Sequence, residues 1–142
     1  RVVRLFGFDP KVAFVSHSTF GQPLTNRTKH IKDAVGILKE KNVDFEFDGD
    51  MQPDVALNKE YQSLYPFSKI VGNANILIMP GQHSAAISYK MMKTLGDAKV
   101  IGPLLIGLGL PIEIAPLRSS TSEILNLASI AAYSADVIDY KK

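Results

Sequence analysis

Val12-Ala13-Phe14-Val15, running directly into Ser16-His17-Ser18-Thr19, decides how this 142-residue chain is read. An unbroken apolar run ended by a hydroxyl-rich loop suits a strand covered on both faces, the mark of a parallel sheet. Parallel strands are joined by crossovers that are usually helical, and the next segment supplies one. Over 25–42, Ile31, Val35 and Leu38 recur at helical spacing while Lys29, Lys32, Lys39 and Glu40 take the wet face.

The remaining elements extend that pattern. Phe45 and Phe47 alternate with Asp44, Glu46 and Asp48, which predicts a strand, and Asp48-Gly49 predicts the turn that ends it. A helix is expected from Pro53, a residue suited to the first helical position, to just before Pro66. Ile76-Leu77-Ile78-Met79 reads as a buried strand stopped by Pro80, and 84–95 as a helix with Gly96 as its C-terminal cap. Two short strands at 104–108 and 112–115, joined through Gly109-Leu110-Pro111, are expected to pair as a hairpin. Ser120-Thr121-Ser122-Glu123 fits the capping box of a last helix through Ile124, Leu127, Ala128, Ala131 and Ala132. Strands alternating with helices predict an α/β fold: one three-layer αβα domain over 1–142, with a mostly parallel sheet and one hairpin.

Composition excludes several classes. With 46% hydrophobic and 21% charged residues the chain is not disordered. Its length suffices to bury about two thirds of its unfolded surface. The absence of cysteine excludes a disulfide framework, a thiolate nucleophile and a Cys-based zinc site, and it favours a cytoplasmic setting. Sixteen Lys and Arg against fourteen Asp and Glu leave +2, without the one-sided field of a nucleic-acid binder. The apolar stretch 101–112 is broken by Gly102, Pro103, Gly107, Gly109 and Pro111, so no membrane span is expected. The chain starts at Arg1 and shows no signal peptide, and a piece of a longer polypeptide is the expectation.

Ligands of such sheets sit beyond the carboxyl ends of the strands, which points to loops 16–25, 48–54, 80–84 and 116–121. Gly107-Leu108-Gly109 lacks the third glycine of a dinucleotide fingerprint, no Walker A loop exists, and His17-Ser18 forms no nucleophile elbow. His17, His30 and His83 lack metal-ligand spacing, so no metal site is expected. Ser16, Ser18 and Thr19, with free backbone N–H groups ahead of a helix and Arg27 and Lys29 a turn further on, make a candidate anion site. The same hydroxyls read equally well as a turn that caps the helix. Asp48-Gly49-Asp50 and Asp54 are taken as a solvated turn in preference to a carboxylate cluster. The candidate ligand residues are Ser16, Ser18, Thr19, Arg27, His83, Ser84, Arg118 and Glu123, and no residue is assigned a catalytic role.

Four blocks then resemble one family in its own order. Residues 8–21, from Phe8-Asp9-Pro10 to Phe20-Gly21, resemble the opening strand and loop of the second domain of phosphate acetyl/butyryltransferases. Asp48-Gly49-Asp50-Met51-Gln52-Pro53-Asp54-Val55-Ala56-Leu57 is similar to that family's D-G-x-x-Q-x-D-A-A segment. Gly72-Asn73-Ala74-Asn75 with the following strand to Pro80 is similar to its G-x-A-N strand, and Ile101-Gly102-Pro103-Leu104-Leu105-Ile106-Gly107-Leu108 to its I-G-P hairpin. The resemblance implies an isocitrate/isopropylmalate-dehydrogenase-like fold and a partner domain across a substrate cleft.

The resemblance also implies what the chain has lost. Where active transferases carry a serine–arginine pair and then an aspartate base, this chain has Pro116, Leu117 and Glu123, with Arg118 one place displaced. Pro80-Gly81-Gln82-His83 replaces the P-D-L loop, and Gly21-Gln22-Pro23 replaces G-S-A. Phe20 and the Met79-Pro80 strand end resemble the transferase-like C-terminal domain of large bacterial malic enzymes. That resemblance implies a non-catalytic domain acting in homo-oligomerisation, as a dimer or higher, and in feedback by acetyl-CoA or coenzyme A. No cofactor is implied in this segment, and NADP with Mg or Mn is implied for the rest of the parent enzyme, which converts malate to pyruvate. The alternative is the second domain of a working transferase acting between coenzyme A and acetyl phosphate.

Overall fold

The computed structural model describes residues 2–96 and 98–137, so Arg1 lies outside the described residues. The chain forms two compact units, Arg1–Tyr89 and Lys90–Lys142.

The first unit runs α1 (Val2–Leu5), β1 (Lys11–Val15), α2 (Asn26–Glu40), β2 (Glu46–Met51), α3 (Pro53–Leu57), α4 (Lys59–Gln62) and β3 (Ile76–Ile78), and α5 (Gln82–Leu95) starts within it. The strands form one sheet in the order β2-β1-β3. Both pairings are parallel, with Val12 opposite Phe47 on one side and Ile76 on the other. The α/β class read from the sequence is therefore the observed one. Ala13, Val15, Met51, Val55, Ala56, Ile70 and Ala74 make the core, with Phe20, Tyr65, Leu77 and Met79 packed against it.

Local chemistry explains the borders of α2. The Thr25 side chain accepts the N–H of Thr28 at 3.3 Å, and the Thr28 hydroxyl oxygen accepts the N–H of Thr25 at 2.8 Å. Thr28 thus replaces the usual Glu or Gln of a capping box. Val35 is buried and Ile31 and Leu38 are half-buried, while Lys29, Lys32 and Lys39 are exposed, which matches the predicted faces.

Side-chain bonds close the amino end of the sheet. Asn75 Oδ1 accepts the N–H of Lys11 at 2.8 Å, and Asn75 Nδ2 donates to the carbonyl of Asp9 at 2.7 Å. The asparagine acts as a backbone mimic between the starts of β1 and β3. One residue earlier, the Ala74 N–H donates to the Ala56 carbonyl at 2.8 Å, with Ala56 fully buried. The Ala-Asn and Asp-x-Ala blocks of the sequence are thus architectural ties.

Four expectations need correction. Asp48-Gly49 is no turn: β2 continues through it to Met51. A Cβ on Gly49 would stand 2.7 Å from both Cβ and O of Phe14, so glycine serves close strand approach here. The helix expected from Pro53 to before Pro66 is two short ones, parted at Asn58, whose extended backbone breaks the first and whose side chain accepts the Glu60 N–H of the second at 2.9 Å. β3 is not fully buried, since Ile78 is 42% exposed.

The fourth correction lies in the second unit. Strands 104–108 and 112–115 are absent among the described residues. The segments meet instead where the Leu105 N–H donates to Glu113 Oε2 at 3.1 Å. Pro103 and Pro111 remove ladder donors, and Gly102 and Gly107 turn the chain with positive φ. The end of α5 and the helix α6 (Thr121–Val137) belong to this unit. The Gly96 N–H donates to the Met92 carbonyl at 3.0 Å just past α5. Leu127 is its buried hydrophobic residue among those described.

Candidate functional site

The strand order places a candidate site. In a sheet ordered 2-1-3 the crevice for ligands lies outside the carboxyl ends of β1 and β3, where the chain changes direction across the sheet. The loops there follow Val15 and Ile78.

A bulge shapes the first of them. Phe14 pairs with Gly49 but Val15 pairs with Met51, which leaves Asp50 as the extra residue. Bulges re-aim a side chain, and this one turns Asp50 into the 16–22 loop. The Ser18 hydroxyl donates to Asp50 Oδ2, and the Gly21 N–H donates to Asp50 Oδ1 at 3.0 Å. The Phe20 N–H donates to the Asp50 carbonyl at 2.6 Å. Thr19 Oγ1 accepts the Gln52 N–H at 3.1 Å, and Ser16 N–H donates to the Met51 carbonyl at 2.9 Å. The loop is thus built around a carboxylate of the chain itself.

That geometry revises the reading of the acidic stretch. Asp48 and Asp50 are 5% and 2% exposed, not solvated. Asp48 Oδ2 accepts the Lys69 N–H and Glu46 Oε2 accepts the Val71 N–H, both at 2.8 Å, with Ile70 buried between them. Buried carboxylates need such donors because desolvation is otherwise costly. Sequence reasoning missed this role, although Glu46, Asp48 and Asp50 recur at the strand period of two.

Of the candidate anion residues, Ser18 and Thr19 are buried and their hydroxyls serve the loop. Ser16 is buried as well, and its Oγ accepts the Ser18 N–H at 3.3 Å. His17 and Arg27 are exposed beside them in sequence. After β3, His83 is exposed and the Ser84 hydroxyl donates to the Gly81 carbonyl at 2.8 Å. Among the described residues no group of three or more His, Asp or Glu gathers to hold a metal.

Phe20, which the sequence singled out only through the resemblance, also has a structural role at this loop. Its φ of 49° lies in the left-handed region, which costs a residue with a Cβ about 1–2 kcal/mol. The bonds from Asp50 hold it there. Its ring stands 4.8 Å from that of Phe67 and 5.4 Å from that of Tyr65, with Tyr65 and Phe67 6.1 Å apart.

In the second unit, Glu123 is held at both oxygens. Lys93 Nζ lies 2.5 Å from Oε1, while the Ser120 N–H and hydroxyl donate to Oε2 at 2.8 and 3.0 Å. The lysine, then the serine donors, bring its carboxyl down to about 2. The predicted capping box is present, since the Glu123 N–H donates back to Ser120 Oγ at 3.3 Å. Pro116, Leu117 and Arg118 are all exposed.

A parallel three-stranded sheet in the order β2-β1-β3, with helices and a preformed loop after its central strand, defines the class: an α/β domain of the parallel-sheet kind. The match to known proteins is more particular. The phosphate acetyl/butaryl transferase model matches residues 1–132, and the chain belongs to that family.

The NADP-dependent malic enzyme of Rhizobium meliloti (strain 1021) is 47% identical over 134 residues, covering 94% of this chain and 18% of that protein. The phosphate acetyltransferase of Clostridium acetobutylicum is 35% identical, over 93% of this chain and 40% of that protein. The chain thus spans less than half of either relative. Among solved structures, a phosphotransacetylase from Streptococcus pyogenes superposes with TM-score 0.87 at 34% identity, covering 94% of this chain and 41% of that one. The EutD phosphotransacetylase of Staphylococcus aureus gives 0.84 at 30% identity, covering 94% and 42%. No helix among the described residues is long and apolar enough to cross a membrane.

Proposed function

We propose that this chain is the transferase-like domain of a malic-enzyme polypeptide, that it binds acetyl-CoA or coenzyme A as an effector, and that it does not transfer acetyl groups. The other domains of the parent would carry out oxidative decarboxylation of malate with NADP and Mg or Mn, in the cytoplasm. The observation that carries the reading is Glu123. It stands where the resemblance places the transferase base, yet both its oxygens are engaged and its carboxyl sits at about 2. A base that weak is poorly matched to taking a thiol proton at neutral pH. Pro116 and Leu117 stand where the serine–arginine pair would be and offer neither a hydroxyl nor a cation. Losing a single preorganised donor typically costs about a hundredfold or more in rate.

In the first unit, the exposed candidates Arg27 and His83 are the groups that would meet the phosphates of the effector. Homo-oligomerisation, as a dimer or higher, is part of the same reading. Ile106, Leu110 and Leu117 are 71%, 65% and 103% exposed, and apolar surface of this kind is normally covered by a partner.

The test uses the full-length protein: acetyl phosphate formation from acetyl-CoA, and malate oxidation with and without acetyl-CoA. No acetyl transfer, with malate oxidation altered by acetyl-CoA, is expected. Robust acetyl transfer would favour the alternative, the second domain of a working transferase. Malate oxidation indifferent to millimolar acetyl-CoA would overturn the effector role.

A further inference from the structure

We draw no further inference here: the strongest candidate, the exposed apolar surface that Met91, Met92 and Leu95 present at the end of α5 in the second unit, carries nothing because nothing in the structure shows what covers it.

Discussion

Asp50 Oδ1 accepts the backbone N–H of Gly21 at 3.0 Å from a side chain only 2% exposed, so a β-bulge carboxylate organises the loop after the neighbouring strand. Its other oxygen takes the Ser18 hydroxyl. Removing the carboxylate leaves the buried Ser18 hydroxyl and the half-buried Gly21 N–H without their acceptor. Asp50→Ala is therefore expected to cost about 2–4 kcal/mol, since each buried unsatisfied group costs about 1–3. Asp50→Asn, which keeps an acceptor, should cost less. Urea unfolding of the full-length protein checks this, and a loss under about 0.5 kcal/mol for Asp50→Ala would contradict it.

Gly49 predicts a steeper loss from a smaller change. The added methyl of Gly49→Ala would lie 2.7 Å from Phe14 Cβ and Phe14 O, and one of these is backbone. Relief requires the strands to part, at a cost of about 2–3 kcal/mol or more. By contrast, Gly36 in α2 has open space around it, and Gly36→Ala should stabilise by roughly 0.5–1 kcal/mol. Thermal midpoints moving in opposite directions for the two variants is the expected result.

Asn75→Leu removes an acceptor for Lys11 and a donor to Asp9 in one step. At about 1 kcal/mol for each hydrogen bond, a loss of about 1–2 kcal/mol is expected at this exposed position. Amide exchange should quicken at Lys11 in particular, because its N–H loses its partner.

The carboxyl of Glu123 supplies a pH test with a definite sign. Its folded value of about 2 lies below the ordinary 4.5, so its stabilising contribution is complete above about 4.5. That contribution fades as pH falls toward 2. Carbon NMR of the Glu123 side chain should titrate well below 4.5, and Lys93→Met should raise the midpoint. A midpoint unmoved by that substitution would show that the lysine does not hold the carboxylate.

Much of the frame was legible because it obeys single-element rules. β1 follows from an apolar run, α2 from the spacing of Ile31, Val35 and Leu38, and the start of α6 from its capping box. Asp48-Gly49 misled because the dipeptide favours turns locally, while here the strand is decided by pairing with β1 and by donors from residues 69–71. The break at Asn58 was hidden for a similar reason: its side chain competes with the helix by capping the next one. The site was less legible still. Ser18 and Thr19 have the right chemistry for an anion, but the partner that claims Ser18 is a carboxylate thirty-two positions away. Phe20, Tyr65 and Phe67 carry no shared period, so only the folded chain brings their rings together.

The Asn75 clamp gives the sheet two unequal ends. Register is secured where the strands begin, far along β1 and β3 from the loops that follow them. Loop changes at the other end therefore spare this clamp, provided the loop after β1 keeps its bonds to Asp50. The departures from the transferase pattern at Gly21-Gln22-Pro23 and Pro80-Gly81-Gln82-His83 both fall on that permissive side. A lineage can rewrite one rim of such a scaffold while its other end keeps the strands aligned, and a designer who grafts loops onto that rim has one internal anchor, Asp50, to preserve.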